Sequence, residues 1–279
     1  MKIAITGGKG GTGKSTVATA LALELRKTKK VLLVDADVEC PNDHLILSIK
    51  RKKIKEIFQS IPKFNRKKCI KCGLCAKVCR ENAIVFVKGR YPIFVPDLCI
   101  GCKACLISCP AKAIEEEKKK IGTIYFNKSE KIDLLSAETE IGYEEAGIIV
   151  NRLKEFLHKI EKNYDYVLVD TAPGTHCNVI AALKDSDLAL VVTEPTPLGK
   201  HDLELILKLI KSLGIKARVI INKANIGNKK IIEKILRKYK TEVIAEIPYR
   251  KSILKAYSSG KQIKDKAIQK IAEWLRNQS

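Results

Sequence analysis

The 279-residue chain is long enough for one large domain or two modest ones, and 46% apolar residues with only 5% aromatics suit an aliphatic α/β core. No apolar run approaches the ~18 residues of a membrane helix, and Met1-Lys2-Ile3-Ala4-Ile5-Thr6 leads straight into a glycine loop with no room for a signal peptide, so a soluble, cytoplasmic protein is expected. The 53 basic and 31 acidic residues give +22, yet the lysines are dispersed, so neither nucleic acid nor a membrane is the expected partner.

Dispersed lysine and glutamate with abundant isoleucine and little glutamine is a thermophile-like composition, which accounts for part of the charge. Ten cysteines point to metal or redox chemistry rather than a disulfide framework, and eight of them fall between Cys69 and Cys109.

Residues 3–6 read as a short strand, 15–28 as a helix, and 31–34 as a parallel strand apolar on both faces. Between the first strand and the helix, Gly8-Lys9-Gly10-Gly11-Thr12-Gly13-Lys14-Ser15 satisfies G-x4-G-K-[ST]. Its glycines let backbone amides point at phosphate oxygens, and the helix N-terminus at Ser15 adds its positive end. Lys14 neutralises the outer phosphates, and the Ser15 hydroxyl is the expected Mg2+ ligand.

From about residue 64 to 117 the chain is cysteine-rich, flanked by lysine-rich stretches at 63–68 and 118–120 that read as solvated junctions. Cys69, Cys72, Cys75 and Cys79 recur 30 residues on as Cys99, Cys102, Cys105 and Cys109, and Ile70, Ala83 and Ile84 recur as Ile100, Ala113 and Ile114. C-x2-C-x2-C-x3-C twice is the spacing of a ferredoxin with two 4Fe-4S clusters, in which the fourth cysteine of each run reaches the other cluster. On that rule Cys69, Cys72, Cys75 and Cys109 hold one cluster, and Cys99, Cys102, Cys105 and Cys79 the other. Pro110 follows the second run as in ferredoxins, whereas Arg80 follows the first. Zinc is the rival occupant, although zinc ribbons use separated cysteine pairs rather than evenly spaced triplets.

Beyond the cysteines, helices are expected at 144–162, 200–213 and 229–238, and strands at 166–170, 188–193, 217–221 and 242–247. This alternation predicts an α/β fold, a doubly wound, mostly parallel P-loop sheet with an inserted ferredoxin-like domain. The expected boundaries are 1–62 and 118–279 for the P-loop domain and 63–117 for the insertion. Residues 263–275 form an amphipathic, basic segment that either closes the sheet, the expected role, or lies on a membrane.

With Lys9 inside the loop, residues 9–15 carry the signature K-G-G-x-G-K-[ST], and outside the insertion the chain resembles the MinD/ParA/Mrp family of deviant-Walker ATPases. The resemblance implies ATP and Mg2+ as ligands, slow hydrolysis to ADP and phosphate, and nucleotide contacts from Gly8, Lys9, Gly10, Gly11, Thr12, Gly13, Lys14, Ser15 and Thr16. It also implies a homodimer in which Lys9 reaches the partner's phosphates, as an arginine finger does. Val34-Asp35-Ala36-Asp37 resembles switch I, which implies Asp35 near Mg2+ and Asp37 orienting the attacking water; Lys9, Lys14 and Asp37 are thus the catalytic candidates. Val167-Leu168-Val169-Asp170 resembles Walker B, which implies Asp170 at Mg2+ with Ser15 and Asp35. Asp170-Thr171-Ala172-Pro173-Gly174 resembles switch II, with the Gly174 amide sensing the γ-phosphate. Asn222 resembles the family's adenine reader, and Ile247-Pro248-Tyr249 the loop lining the base, with Pro248 as the contact.

Cys40 and Cys177 follow the two switches. Each reads as a small, partly buried residue or, through a remoter likeness to the nitrogenase iron protein, as a ligand of a subunit-bridging cluster. Resemblance to the Mrp branch points to ATP-driven carriage or assembly of iron–sulfur clusters for apo client proteins, although no C-x-x-C occurs after Cys109. The alternatives are an ATP-gated electron donor to a partner reductase and a MinD/ParA-type positioning ATPase.

Overall fold

The computed structural model describes residues 1–260, 263 and 265–278. In chain order its elements are β1 (Lys2–Thr6), α1 (Lys14–Arg26), β2 (Val31–Ala36), α2 (Asp43–Ile46), β3 (Lys53–Phe64), α3 (Leu74–Lys77), β4 (Ile84–Val85), β5 (Ile93–Phe94), α4 (Ala104–Ile107) and β6 (Ile114–Asn127). There follow β7 (Asp133–Thr139), α5 (Ala146–Ile160), β8 (Tyr166–Thr171), α6 (Cys177–Leu183), β9 (Leu188–Thr193), α7 (Pro197–Ser212), β10 (Lys216–Asn222), α8 (Lys230–Lys238), β11 (Val243–Ile247), α9 (Lys251–Ser258) and α10 (Lys266–Arg276). The chain divides into two compact units, one of Met1–Lys55, Ile124–Glu138 and Ala146–Ser279, the other of Glu56–Thr123 and Thr139–Glu145.

The first unit is a P-loop α/β fold. Its sheet runs β11-β10-β9-β1-β8-β2-β7 and continues into β6 and β3, and the pairings from β11 to β7 are parallel. Every residue of β2, β8 and β9 is buried, as strands covered on both faces require. Side-chain alternation divides the core. Ile3, Ile5, Leu188 and Leu190 join the cluster formed with α1 and α10, while Ala4, Ala189 and Val191 join the one formed with α6, α7 and α8.

Helix α10 sits in that first cluster through Ile268, Ile271, Ala272 and Leu275. The apolar face of the amphipathic terminal segment therefore packs on the sheet, as expected; Lys264 of that segment lies outside the described residues. Among the described residues no helix is long and apolar enough to cross a membrane. Helix α7 starts three residues before the expected 200, because Pro197 takes the first-turn position where its missing N–H costs nothing and the Thr196 hydroxyl accepts from Gly199 N.

The second unit departs from the sequence reading in its frame. β3 and β6 are long strands that run from the first unit into it, and the composition hides them behind charge. Phe126 N donates to Lys52 O at 3.0 Å and Asn65 N to Ala113 O at 2.8 Å, so numbers rise on one strand as they fall on the other, an antiparallel pair. Lys118, Lys119 and Lys120, expected as a solvated junction, instead lie within β6, where Lys120 Nζ sits 2.7 Å from Glu140 and 3.7 Å from Glu56.

Inside this frame the repeat is conformational as well as chemical. Lys71, Gly73 and Asn82 have left-handed φ of 58°, 75° and 53°, and their counterparts Gly101, Lys103 and Lys112 have 74°, 63° and 47°. Two single-turn helices, α3 and α4, occupy the same register in the two halves. What packs at the centre is Cys75, Ile84, Cys105 and Ile114, ringed by Phe64, Phe94, Val78 and Leu106.

Candidate functional site

The sites are built where the strands of the first unit end and where the cysteine turns of the second converge. At the carboxyl end of β1, Gly13 has φ +91°, and a Cβ there would meet Asn222 Nδ2 at 2.3 Å. That approach lets the Asn222 carboxamide, at the end of β10, donate to Thr12 O at 2.7 Å. Lys14 folds back so that Nζ donates to Lys9 O at 3.0 Å. Burial lowers the pKa of its ammonium, and the Asp170 and Asp37 carboxylates pull the other way.

A cavity of about 460 Å³ opens over this loop. Gly10, Gly11, Gly13, Lys14, Ser15, Thr16 and Asp37 line one part, and Asn222, Pro248, Tyr249 and Ile253 another. The other predicted contacts stand behind it. Gly8 is pressed against Asp202, whose backbone oxygen would be 2.4 Å from a Cβ there. The Gly174 amide donates to Gly7 O at 3.2 Å, so the segment 170–174 is tied to the glycine loop through the donor expected to sense phosphate.

Asp35 on β2 and Asp170 on β8 are register partners in adjacent parallel strands, and both are buried. Asp35 accepts from the backbone N–H of Asp37 at 3.2 Å, Asn42 at 2.9 Å and Asp43 at 3.0 Å, while the Ser15 hydroxyl donates to Asp170. Burial raises Asp35 and Asp43 well above the usual carboxylate range, with Asp170 and Asp35 respectively adding repulsion. Burial likewise takes Asp170 to about 7, against the Ser15 hydrogen bond and the Lys14 charge. Asp37, half-buried, is also raised by burial.

Two residues here escaped the sequence reading. One is Asp43. The other is Glu194, which follows β9: its Oε2 lies 3.2 Å from Lys9 Nζ and its Oε1 bonds Lys223 Nζ. Lys223 Nζ also donates to Gly11 O at 3.1 Å, so a single carboxylate ties the signature lysine to the rear of the loop. The available signal was the position of Glu194, an acid just past a core strand at the same sheet edge as the loop.

In the second unit the eight cysteines fall into two sets. Cys69, Cys72, Cys75 and Cys109 line one cavity, and Cys79, Cys99, Cys102 and Cys105 another of about 500 Å³. Each set takes three members from one run and its last from the other. The left-handed turns at 71, 73, 101 and 103 bend the backbone around the thiols, and Ala113 N donates to Cys109 Sγ at 3.3 Å. Burial raises the thiols of Cys75, Cys99 and Cys105, the last to about 11, so without a metal they stay protonated at neutral pH. The set is soft, sulfur-only and partly desolvated, which suits iron–sulfur or zinc coordination. Cys40 and Cys177 are both exposed, contrary to the expectation of partial burial.

The CobQ/CobB/MinD/ParA nucleotide binding domain model matches residues 3–263. An uncharacterized protein of Methanocaldococcus jannaschii, MJ0579, is 35% identical over 287 residues, covering 99% of this chain and 97% of that protein. The septum site-determining protein MinD of Helicobacter pylori is 25% identical, covering 94% of this chain and 82% of that one. Among solved structures, MinD complexed with Mg-ADP from Pyrococcus horikoshii matches with a TM-score of 0.61 at 19% identity, over 98% of this chain and 95% of that chain.

Proposed function

Because the chain belongs to the CobQ/CobB/MinD/ParA nucleotide-binding family, we propose that it is a Mg2+-dependent ATPase whose nucleotide state is coupled to two 4Fe-4S clusters retained in the cysteine unit. One observation carries the iron–sulfur part: the eight thiols sort into two four-thiol cavities, each completed by the last cysteine of the other run. Bound there, the clusters supply one-electron redox chemistry.

In this reading the amides of residues 10–16 and Lys14 hold the phosphates, Ser15 ligates Mg2+ with Asp35 and Asp170 nearby, and Asp37 orients water. Asn222 and Pro248 bound the base. Lys9 leaves Glu194 to reach the partner's phosphates in a homodimer, so the dimer interface reports ATP. Eight internal ligands favour clusters that stay on the chain, and this supports ATP-gated electron transfer to a partner over delivery of clusters to apo clients.

The test is anaerobic preparation with iron and sulfide counts, reduction by dithionite, and oxidation by an acceptor with and without ATP. About eight irons per chain and oxidation rates that depend on ATP support the reading. Stoichiometric zinc, or rates indifferent to nucleotide, overturns it.

A second reading is a MinD/ParA-type positioning ATPase in which the cysteine unit is accessory. The likeness to MinD along nearly the whole chain favours it. It requires ATP-dependent binding to an anionic surface or to bulk DNA, and burial of the α10 apolar face removes one membrane anchor. Salt-sensitive binding of that kind, measured on vesicles and on DNA, would establish it.

A further inference from the structure

A buried carboxylate needs a partner, and Asp43 meets none among the described residues. Its side chain is fully buried, and neither Oδ1 nor Oδ2 meets a donor among the described residues. The same holds for Asp170 Oδ1. An isolated ionised carboxylate taken out of water costs several kcal/mol, and the protein avoids that cost only with a proton, a cationic side chain or a metal ion.

Asp43 does not stand alone. One carboxylate oxygen from each of Asp35, Asp43 and Asp170 can be chosen so that all three lie within 4.8 Å of one another. Ligands of one ion lie at most twice the metal–oxygen distance apart, roughly 4.2 Å for Mg2+ and 4.6–5.2 Å for Ca2+. The 4.8 Å bound lies within the span of a Ca2+-sized cation, and closing on Mg2+ draws the oxygens in by at most about 0.6 Å.

Among the described residues, Lys14 is the one cation acting on the three carboxylates. It acts on Asp170, while Asp37 adds a further negative charge beside Asp35 and Asp43. The three backbone N–H donors are all spent on Asp35, so they fix its orientation and leave Asp43 and the free oxygen of Asp170 facing the same space. The sequence builds this arrangement from separate elements. Parallel register brings Asp35 and Asp170 side by side, and the turn that starts α2 returns Asp43 to the Asp35 carboxylate.

We propose that Asp35, Asp43 and Asp170 form a divalent-cation site of the Mg2+/Mn2+ class that holds its ion on the nucleotide-free chain. Where the nucleotide's phosphates complete the coordination around Ser15, the metal arrives and leaves with the nucleotide. Here three protein carboxylates keep it, so the site is charged with metal before the nucleotide enters. The inference does not depend on what the cysteines hold.

The probe is Mn2+ alone, titrated into anaerobically prepared, nucleotide-free full-length protein, with free Mn2+ followed by EPR. The expected result is one tight Mn2+ per chain, displaced by Mg2+. Asp43→Asn should weaken it roughly tenfold or more, the lower end of what even an outer-shell change costs a metal site. Asp43→Ser serves the same purpose should the asparagine variant fail to fold. No Mn2+ retained by the wild-type chain without nucleotide means that the carboxylates are held by protons, and it overturns the proposal. Equal affinity in wild type and folded Asp43 variants also overturns it.

Discussion

Lys9 Nζ lies 3.2 Å from Glu194 Oε2 of its own chain, so the signature lysine is engaged in cis. Burial alone would raise the Glu194 carboxyl, but hydrogen bonds from Lys223 and Lys9 outweigh it and hold the group below the usual glutamate range. The carboxylate is therefore ionised at neutral pH, and any reach of Lys9 toward a partner must break this pair.

From this follows a matched pair of outcomes. Lys9→Ala should lower ATP hydrolysis by about 10³-fold or more, the scale of a missing arginine finger, while nucleotide affinity changes little. Glu194→Gln removes the cis charge at a cost of about 1 kcal/mol to the resting pair, so the ATP-bound monomer–dimer equilibrium should move roughly fivefold toward dimer. A steady-state ATPase assay reads the first, and analytical ultracentrifugation with ATP reads the second. A Glu194→Gln chain that dimerises less than wild type would show that Glu194 belongs to the dimer rather than to the resting state.

The cross-run sorting of cysteines makes a separable prediction. Cys109 lines the cavity of the first run, and Cys79 that of the second. Cys109→Ser should therefore disturb the cluster ligated by Cys69, Cys72 and Cys75, and Cys79→Ser the other. Either change should lower iron from about eight to about four per chain, with distinct EPR signals lost from the reduced protein. Loss of the same signal in both variants would rule the sorting out.

Much of this was legible in sequence because it is local or periodic. The phosphate loop, the alternation of strands 166–170, 188–193 and 217–221 with helices, and the cysteine repeat all follow from short-range rules. Two kinds of feature were not. β3 and β6 alternate weakly, carry charged runs such as 115–120, and include Pro62, so the pattern shows no strand in either and reads only 63–68 and 118–120 as junctions, although the pairing of the two strands fixes them. Asp43 and Glu194 have no motif, because their roles arise from parallel register and tertiary return of the chain.

Burial of α10 predicts where the C-terminal helix spends its apolar face. Ile271 is 0% exposed in the core shared with β1 and α1. Ile271→Ala should cost about 2–5 kcal/mol, and a urea titration should show this as a lower midpoint with little change in slope. A destabilisation below about 1 kcal/mol would mean that the helix is docked only loosely.

The aspartate cluster sets the pH dependence of the metal-free chain. Asp170 titrates at about 7 when folded, against 3.8 for the ordinary side chain. A raised carboxyl pKa means the native state holds a proton that the unfolded state has released, so stability falls as pH rises between those two values. Above pH 7 the full penalty applies, on the order of a few kcal/mol at about 1.4 kcal/mol per pKa unit. Burial and mutual repulsion push Asp35 and Asp43 in the same direction. Nucleotide-free protein dialysed free of divalent cations should accordingly melt at a lower temperature at pH 8 than at pH 6. Because metal ions compete with protons for carboxylates, added Mg2+ should raise Tm more at pH 8 than at pH 6. Equal Mg2+ stabilisation at the two pH values, measured by calorimetry, would separate metal binding from these three carboxylates.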